Sequence, residues 1–165
     1  MTMISKRAFL GGVGLAGLGA FLGLGGGGTE SPAAAYPVSF TPQQWRARLG
    51  AARYHILREQ GTEPPFSSPL LNEHRAGIFS CAGCGAPVFR SADKFDSGTG
   101  WPSFTRALAD NVALSRDTSL FMVRTEVHCR RCGGHLGHVF DDGPAPTHKR
   151  WCIDGLALRF TPQRG

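Results

Sequence analysis

The sequence predicts a mainly β domain with one helix at its N-terminal side. Three observations predict it: a capped amphipathic stretch beginning near Pro42, a succession of short apolar or alternating runs punctuated by Gly, Pro, Asp and Asn, and two Cys-x-x-Cys turns at the ends of such runs. The chain has 165 residues and no internal repeat, which leaves room for one compact domain over residues 36–165 once the dissimilar first 35 are set aside.

Those first residues open with Ser5-Lys6-Arg7 and continue into the glycine-rich apolar run GGVGLAGLGAFLGLGGGG. Each glycine costs a helix about 1 kcal/mol, so the run suits the core of a leader and not a lasting membrane anchor. It resembles a twin-arginine export signal with Lys6 in place of the first arginine, and Ala33-Ala34-Ala35 offers small residues for cleavage. Residues 1–35 are expected to be an export signal or else a disordered leader, and the protein to be exported and periplasmic, or cytoplasmic if the leader is not recognised.

Thr41 can cap the helix, Pro42 needs no amide partner in the first turn, Gln44 completes a capping box, and Phe40 can staple onto Trp45. Trp45, Leu49, Ala52 and Ile56 then recur at helical spacing, so a helix from about Pro42 to Glu59 should lay one face on the domain. The strands follow: Ile78–Ser80, Ala86–Phe89, Val112–Leu114, Leu120–His128, His138–Phe140 and Trp151–Phe160. In the longest, Phe121, Val123, Thr125 and Val127 alternate with Met122, Arg124, Glu126 and His128.

Cys81-Ala82-Gly83-Cys84-Gly85 and Cys129-Arg130-Arg131-Cys132-Gly133 share a spacing and a following glycine. A two-residue gap lets both thiolates of a turn point at one ion, and four soft ligands in a tetrahedron favour Zn²⁺. Cys81, Cys84, Cys129 and Cys132 are therefore expected to hold one structural zinc, a closed site with no position for chemistry. Two disulfides or a redox Cys-x-x-Cys are the competing uses, and an oxidising compartment would suit them.

Cys152 is left over. A cysteine in a strand is by default a small buried hydrophobe, but Arg150 precedes it and His135 and His138 have a spacing that can put both rings on one side of a turn. Cationic neighbours lower a thiol's pKa, and an imidazole can pass a proton in the transition state. Asp154, two residues on, would oppose thiolate formation if unpaired. Between the cysteine pairs, in Phe95-Asp96-Ser97-Gly98-Thr99-Gly100-Trp101-Pro102-Ser103-Phe104, Trp101 and Phe104 can present an apolar wall to a small apolar group of a substrate.

The net charge of +6 is spread over dispersed Arg and Lys residues, without the basic block or interleaved aromatics that nucleic acid binding requires. No nucleic acid partner, no stable membrane insertion and no more than a monomer are expected.

With these residues in view, the sequence resembles the methionine-(R)-sulfoxide reductases. The resemblance runs through Gly61-Thr62-Glu63-Pro64-Pro65-Phe66-Ser67, CAGCGAPVF, KFDSGTGWPSF, Glu126–Cys132, HLGHVFDDGP and RWCIDGLALRF, in the family's order, over roughly residues 41–162. It implies a tent-like fold of two antiparallel sheets with a structural zinc at one side and a shallow active site across the sheets. It implies further that Cys152 is the nucleophile, that His138 donates a proton to the sulfoxide oxygen with His135 beside it, that Trp101 packs on the S-methyl group, and that Arg150 helps organise the site. The partners implied are oxidised proteins bearing methionine-R-sulfoxide and a thioredoxin-like or small-thiol reductant.

Two positions depart from the family pattern. Thr99 stands where many members carry a resolving cysteine, so an external thiol is expected to reduce the Cys152 sulfenic acid directly. Asp154 stands where asparagine is usual, and the expectation is that Arg150 or a histidine pairs it. Other readings are an inactive zinc-stabilised binding module, which would tolerate loss of Cys152, and a cysteine hydrolase, for which the sequence offers no oxyanion hole and no orienter for the histidine.

Overall fold

The computed structural model describes residues 36–164, so the leader expected over residues 1–35 lies outside the described residues. Helix α1 (Pro42–Glu59) begins as its sequence dictates: the Thr41 side chain accepts from the Gln44 amide, the Gln44 side chain accepts from the Thr41 amide, and Phe40 meets Trp45 edge-on at 4.9 Å. One expectation fails inside it. Gly50 is non-helical (φ 70°, ψ 168°), which resets the rotation of everything after it. The buried stripe is therefore Trp45, Tyr54, Ile56 and Leu57, while Ala52 is exposed.

Nine strands follow: β1 (Gly77–Cys81), β2 (Pro87–Arg90), β3 (Lys94–Phe95), β4 (Ser103–Phe104), β5 (Val112–Asp117), β6 (Arg124–Cys129), β7 (His135–Phe140), β8 (Arg150–Ile153) and β9 (Leu158–Pro162). They form two antiparallel sheets, as expected, ordered β2-β1-β9 and β3-β4-β8-β7-β6-β5. The run expected from Leu120 to His128 forms a strand only from Arg124 onward. A 3-10 turn at Ser119–Phe121 precedes it, and Phe121, Met122 and Val123 are exposed, because no second strand or core covers that end. The run expected from Trp151 to Phe160 is two strands in different sheets, joined at the 3-10 turn Gly155–Ala157.

An aromatic cluster fills the core. Phe89 stacks on Phe104 at 4.4 Å, Phe79 meets Phe104 and Phe160 at 5.0 and 4.9 Å, and Trp151 packs against Phe89. Helix α1 packs on β7 and on the Gly155–Ala157 turn, so its C-terminal end and the segment after it lie beside the opposite face of the six-stranded sheet. Among the described residues no helix is long and apolar enough to cross a membrane.

Candidate active site

The strand registers place five polar side chains in one row across the six-stranded sheet. Ser103 on β4 opposes Cys152 on β8, Cys152 opposes His138 on β7, His138 opposes Glu126 on β6, and Glu126 opposes Ser115 on β5. Directly opposed residues share a face, with Cβ atoms about 4.5–5.5 Å apart. The row therefore sets the sulfur beside an imidazole at the centre of the sheet.

His135 joins the same face through an irregularity. The β6–β7 register shifts between Val127 and His128, which shifts the alternation of β7 and brings the His135 and His138 rings to 5.3 Å. A strand bulge, and not a turn, unites the two rings. Gly137 permits it: its φ is 148°, and a Cβ there would stand 2.1 Å from the Cys152 carbonyl oxygen.

Cys152, His135, His138, Trp101, Asp117, Glu126 and Asp154 line a cavity of about 530 Å³, closed on one side by Glu59–Thr62. Trp101 is held by its indole N–H, which donates to the Glu63 carbonyl at 3.1 Å. Phe104 does not reach the cavity. It follows Ser103 by one residue on β4, so it points to the other face, where it is fully buried in the aromatic core. Its expected place as part of a substrate wall is therefore wrong. Arg150 does not line the cavity either: its guanidinium makes a bidentate pair with Asp142 at 2.9 Å and lies over the Phe140 ring at 4.4 Å.

The two histidines are held differently. His135 is buried between carboxylates, its Nδ1 2.7 Å from Glu126 Oε1 and its Nε2 4.0 Å from Asp154 Oδ2. His138 is bound at Nε2 by Asp117 (2.8 Å), which also takes Arg124 at 2.7 Å. The charges set the pKa directions. Hydrogen bonding to His135 holds Glu126 at about 2, and the Ser119 and His138 contacts hold Asp117 well below the carboxylate range. Burial lowers His138, with Asp117 opposing. Burial also raises the Cys152 thiol; Arg150 opposes that rise and Asp154 adds to it. Burial thus outweighs the cation expected to ionise the sulfur.

Asp154 is hydrogen-bonded, but not by Arg150. Its Oδ1 accepts from the Thr62 hydroxyl at 2.9 Å and the Glu63 amide at 3.0 Å, and burial raises its pKa. Glu63 in turn accepts from the Gly155 and Leu156 amides at 2.6 and 2.9 Å, clamping the turn after β8 to the segment whose carbonyl holds the Trp101 indole. Asp117, Glu126, Glu63 and Thr62 were not singled out as site residues. Glu126 lay on the polar side of an alternating run and Thr62-Glu63 within GTEPPFS, whereas Asp117 gave no local signal.

The remaining cysteines gather at the other end of β6. Cys81 ends β1 and Cys129 ends β6; Cys84 and Cys132 follow in turns with the same hydrogen bonds, Gly85 N–H to Cys81 and Gly133 N–H to Cys129, both 2.8 Å. All four sulfurs lie within 4.8 Å of one another. The cross-turn pairs Cys81–Cys132 and Cys84–Cys129 are 3.7 and 3.5 Å apart, too long for disulfides of about 2.05 Å. They match the roughly 3.8 Å edge of a tetrahedron with metal–sulfur bonds of about 2.3 Å. The cluster can coordinate a metal ion, which would tie the two sheets together.

Residues 49–162 match the SelR domain. The chain is 52% identical over 124 residues to the peptide methionine sulfoxide reductase MsrB of Methanosarcina barkeri, covering 74% of this chain and 87% of that protein. It is 55% identical over 124 residues to the enzyme of the same name from Thiobacillus denitrificans, covering 74% and 94%. Among solved structures, the Mis18 Yippee-like domain gives a TM-score of 0.46 at 18% identity over 55% of this chain and 100% of that one, a likeness too weak to argue from. With a cysteine–histidine pair at the centre of the sheet and a separate four-cysteine metal site, the chain belongs to the SelR-domain family of MsrB peptide methionine sulfoxide reductases.

Proposed function

We propose that this enzyme reduces the R epimer of methionine sulfoxide, chiefly in proteins, at Cys152. The observation that carries the reading is the cross-strand opposition of Cys152 and His138 within the cavity that Trp101 lines. The pKa directions fit a proton relay. A raised thiol beside a lowered imidazole rests as S–H and neutral imidazole, so His138 takes the thiol proton as sulfur attacks sulfur and passes it to the sulfoxide oxygen. Asp117 at Nε2 stabilises the imidazolium between the two transfers.

In the sulfur–sulfur adduct so formed the hydroxyl passes from the substrate sulfur to Cys152; its S–O bond and the S–S bond both break, methionine leaves, and Cys152 remains as a sulfenic acid. An external thiol then displaces water to form a mixed disulfide, and a second thiol releases Cys152. The other four cysteines sit in the metal cluster, which supports a thioredoxin-like or small-thiol reductant. Trp101 as the partner of the methyl group and the histidines as partners of the oxygen, all lining the one cavity, would distinguish the two substituents, so one epimer fits. The donor set and spacing of Cys81, Cys84, Cys129 and Cys132 support one structural Zn²⁺. Lys6-Arg7 and the glycine-rich run after them support export to the periplasm.

The test is turnover of both epimers of an N-blocked methionine sulfoxide with dithiothreitol and with a thioredoxin system. Consumption of the R epimer, abolished in Cys152→Ser, is expected; consumption of neither epimer, or activity surviving that substitution, overturns the reading.

A further inference from the structure

A chain of hydroxyls ends on the nucleophile. The buried Ser103 hydroxyl donates to the Trp101 carbonyl at 3.1 Å, Ser97 Oγ lies 2.7 Å from Ser103 Oγ and 2.8 Å from Thr99 Oγ1, and Thr99 Oγ1 lies 4.0 Å from Cys152 Sγ. The carbonyl at the far end can only accept, and this sets the direction of the rest. With Ser103 donating to Trp101, Ser97 donates to Ser103 and Thr99 to Ser97. Ser97 Oγ also takes the Thr99 amide at 3.5 Å, which agrees with that direction. Thr99 then turns a lone pair, and not a hydrogen, toward the sulfur. Reversing all three hydroxyls would lose the bond to Trp101.

The 4.0 Å gap is too long for a strong hydrogen bond to sulfur. An oxygen bonded to that sulfur and inclined away from the straight line to Thr99 would lie at ordinary hydrogen-bond distance from Thr99 Oγ1. We infer that the Thr99–Ser97–Ser103 chain is a receptor for the sulfenic acid of Cys152, accepting its O–H and holding it protonated until the external thiol arrives. Every donor in the series S–OH, Thr99, Ser97, Ser103 then has one acceptor. The role answers a need of this chain. With the other four cysteines in the metal cluster, the intermediate waits, and a waiting sulfenic acid is exposed to peroxide, which converts it to sulfinic acid with release of water. The neutral acid is the less nucleophilic form, so keeping it protonated slows that oxidation.

The inference rests on the sulfenic acid chemistry proposed above, and the test separates the two. The metal-loaded enzyme is converted to its sulfenic acid with methionine-R-sulfoxide and, separately, with one equivalent of hydrogen peroxide. Excess peroxide is then added and sulfinic acid at Cys152 is followed by mass spectrometry, with dimedone trapping of what remains. Thr99→Val, which keeps shape and loses the hydroxyl, is expected to over-oxidise about three- to tenfold faster, the span of one hydrogen bond. Thr99→Ser is expected to stay within about twofold of wild type, and Ser97→Ala to accelerate in the same direction as Thr99→Val. Equal rates in wild type and Thr99→Val, a Thr99→Ser variant as fast as Thr99→Val, or a Ser97→Ala variant that matches wild type overturns the inference. Failure of the sulfoxide alone to yield any sulfenic acid overturns the reductase reading instead, while the peroxide arm still reports on Thr99.

Discussion

His138 and Cys152 are a directly opposed pair on neighbouring antiparallel strands, and Asp117 holds the imidazole from the far side at 2.8 Å. A cross-strand pair cannot drift apart without breaking the ladder, so the geometry of the proposed relay is set by the central strands and not by a mobile loop. His138→Asn should therefore leave the fold in place and lower kcat/KM by about 10²–10⁴-fold, the usual worth of general acid–base assistance. Steady-state kinetics beside a melting curve checks both halves.

Asp117→Asn should move the acidic limb of the kcat/KM–pH profile to lower pH. Burial already places the His138 pKa below its ordinary value, and Asp117 works against that shift. Removing the carboxylate, while Arg124 keeps its charge nearby, lowers the imidazole further. The proposed relay requires neutral His138, so activity lost on acidification should be lost at a lower pH in the variant. The weaker base should also reduce the plateau by about tenfold. An acidic limb that stays in place would assign it to another group.

Asp154→Asn separates shape from charge. Asn keeps an oxygen for the Thr62 hydroxyl and the Glu63 amide, but removes the carboxylate that raises the Cys152 thiol pKa. Alkylation of Cys152 at neutral pH should be faster in the variant, with the titration curve displaced to lower pH. The stability effect has a definite sign. Asp154 has a folded pKa above its unfolded one, so its penalty is absent below the ordinary carboxylate range and grows as pH rises through the folded value. The variant should gain melting temperature at pH 7 and gain none near pH 3. A gain at both pH values would point to packing and not to charge.

How much of this was legible from residues follows from what is local. The Thr41 cap and the Cys-x-x-Cys turns are written within a few positions and appear where expected, whereas the alternating run becomes a strand only from Arg124. Facing is also a period-2 property, yet Phe104 was assigned to the wrong side because β4 is two residues long and gives no alternation to read. The carboxylates behind the histidines depend on which strand lies next to which. Asp117 and His138 are joined by a hydrogen bond spanning a central strand, and no local pattern announces such a partner. In the helix stripe Ile56 is buried as expected but Ala52 is not, for the opposite reason, a single local break at Gly50 that a periodicity count averages over.

Phe104→Ala tests the reassignment directly. Fully buried and stacked on Phe89, it should cost about 3–5 kcal/mol of folding stability, read by urea denaturation, with no selective rise in KM. Trp101→Ala should show the reverse pattern, a KM rise exceeding its stability loss, because half-buried Trp101 faces the cavity.

Metal removal should unfasten the sheets and leave the cysteine–histidine pair chemically intact. Cys81 and Cys84 belong to the end of β1 in the three-stranded sheet, and Cys129 and Cys132 to the end of β6 in the other, so one ion bound there would bridge both. The bound chain is predicted to carry one zinc, and Cys84→Ser should weaken retention while lowering the melting temperature by more than a surface substitution does. Binding free energy here is folding free energy, so added zinc should raise the variant's melting temperature in proportion to the logarithm of its concentration. Alkylation of Cys152 in whatever fraction remains folded should proceed at the wild-type rate, since its strand contacts are to β4 and β7 and not to the knuckles. If instead Cys84→Ser changed the Cys152 alkylation rate in folded protein without altering melting or zinc content, the four cysteines would belong to the reaction and not to the scaffold.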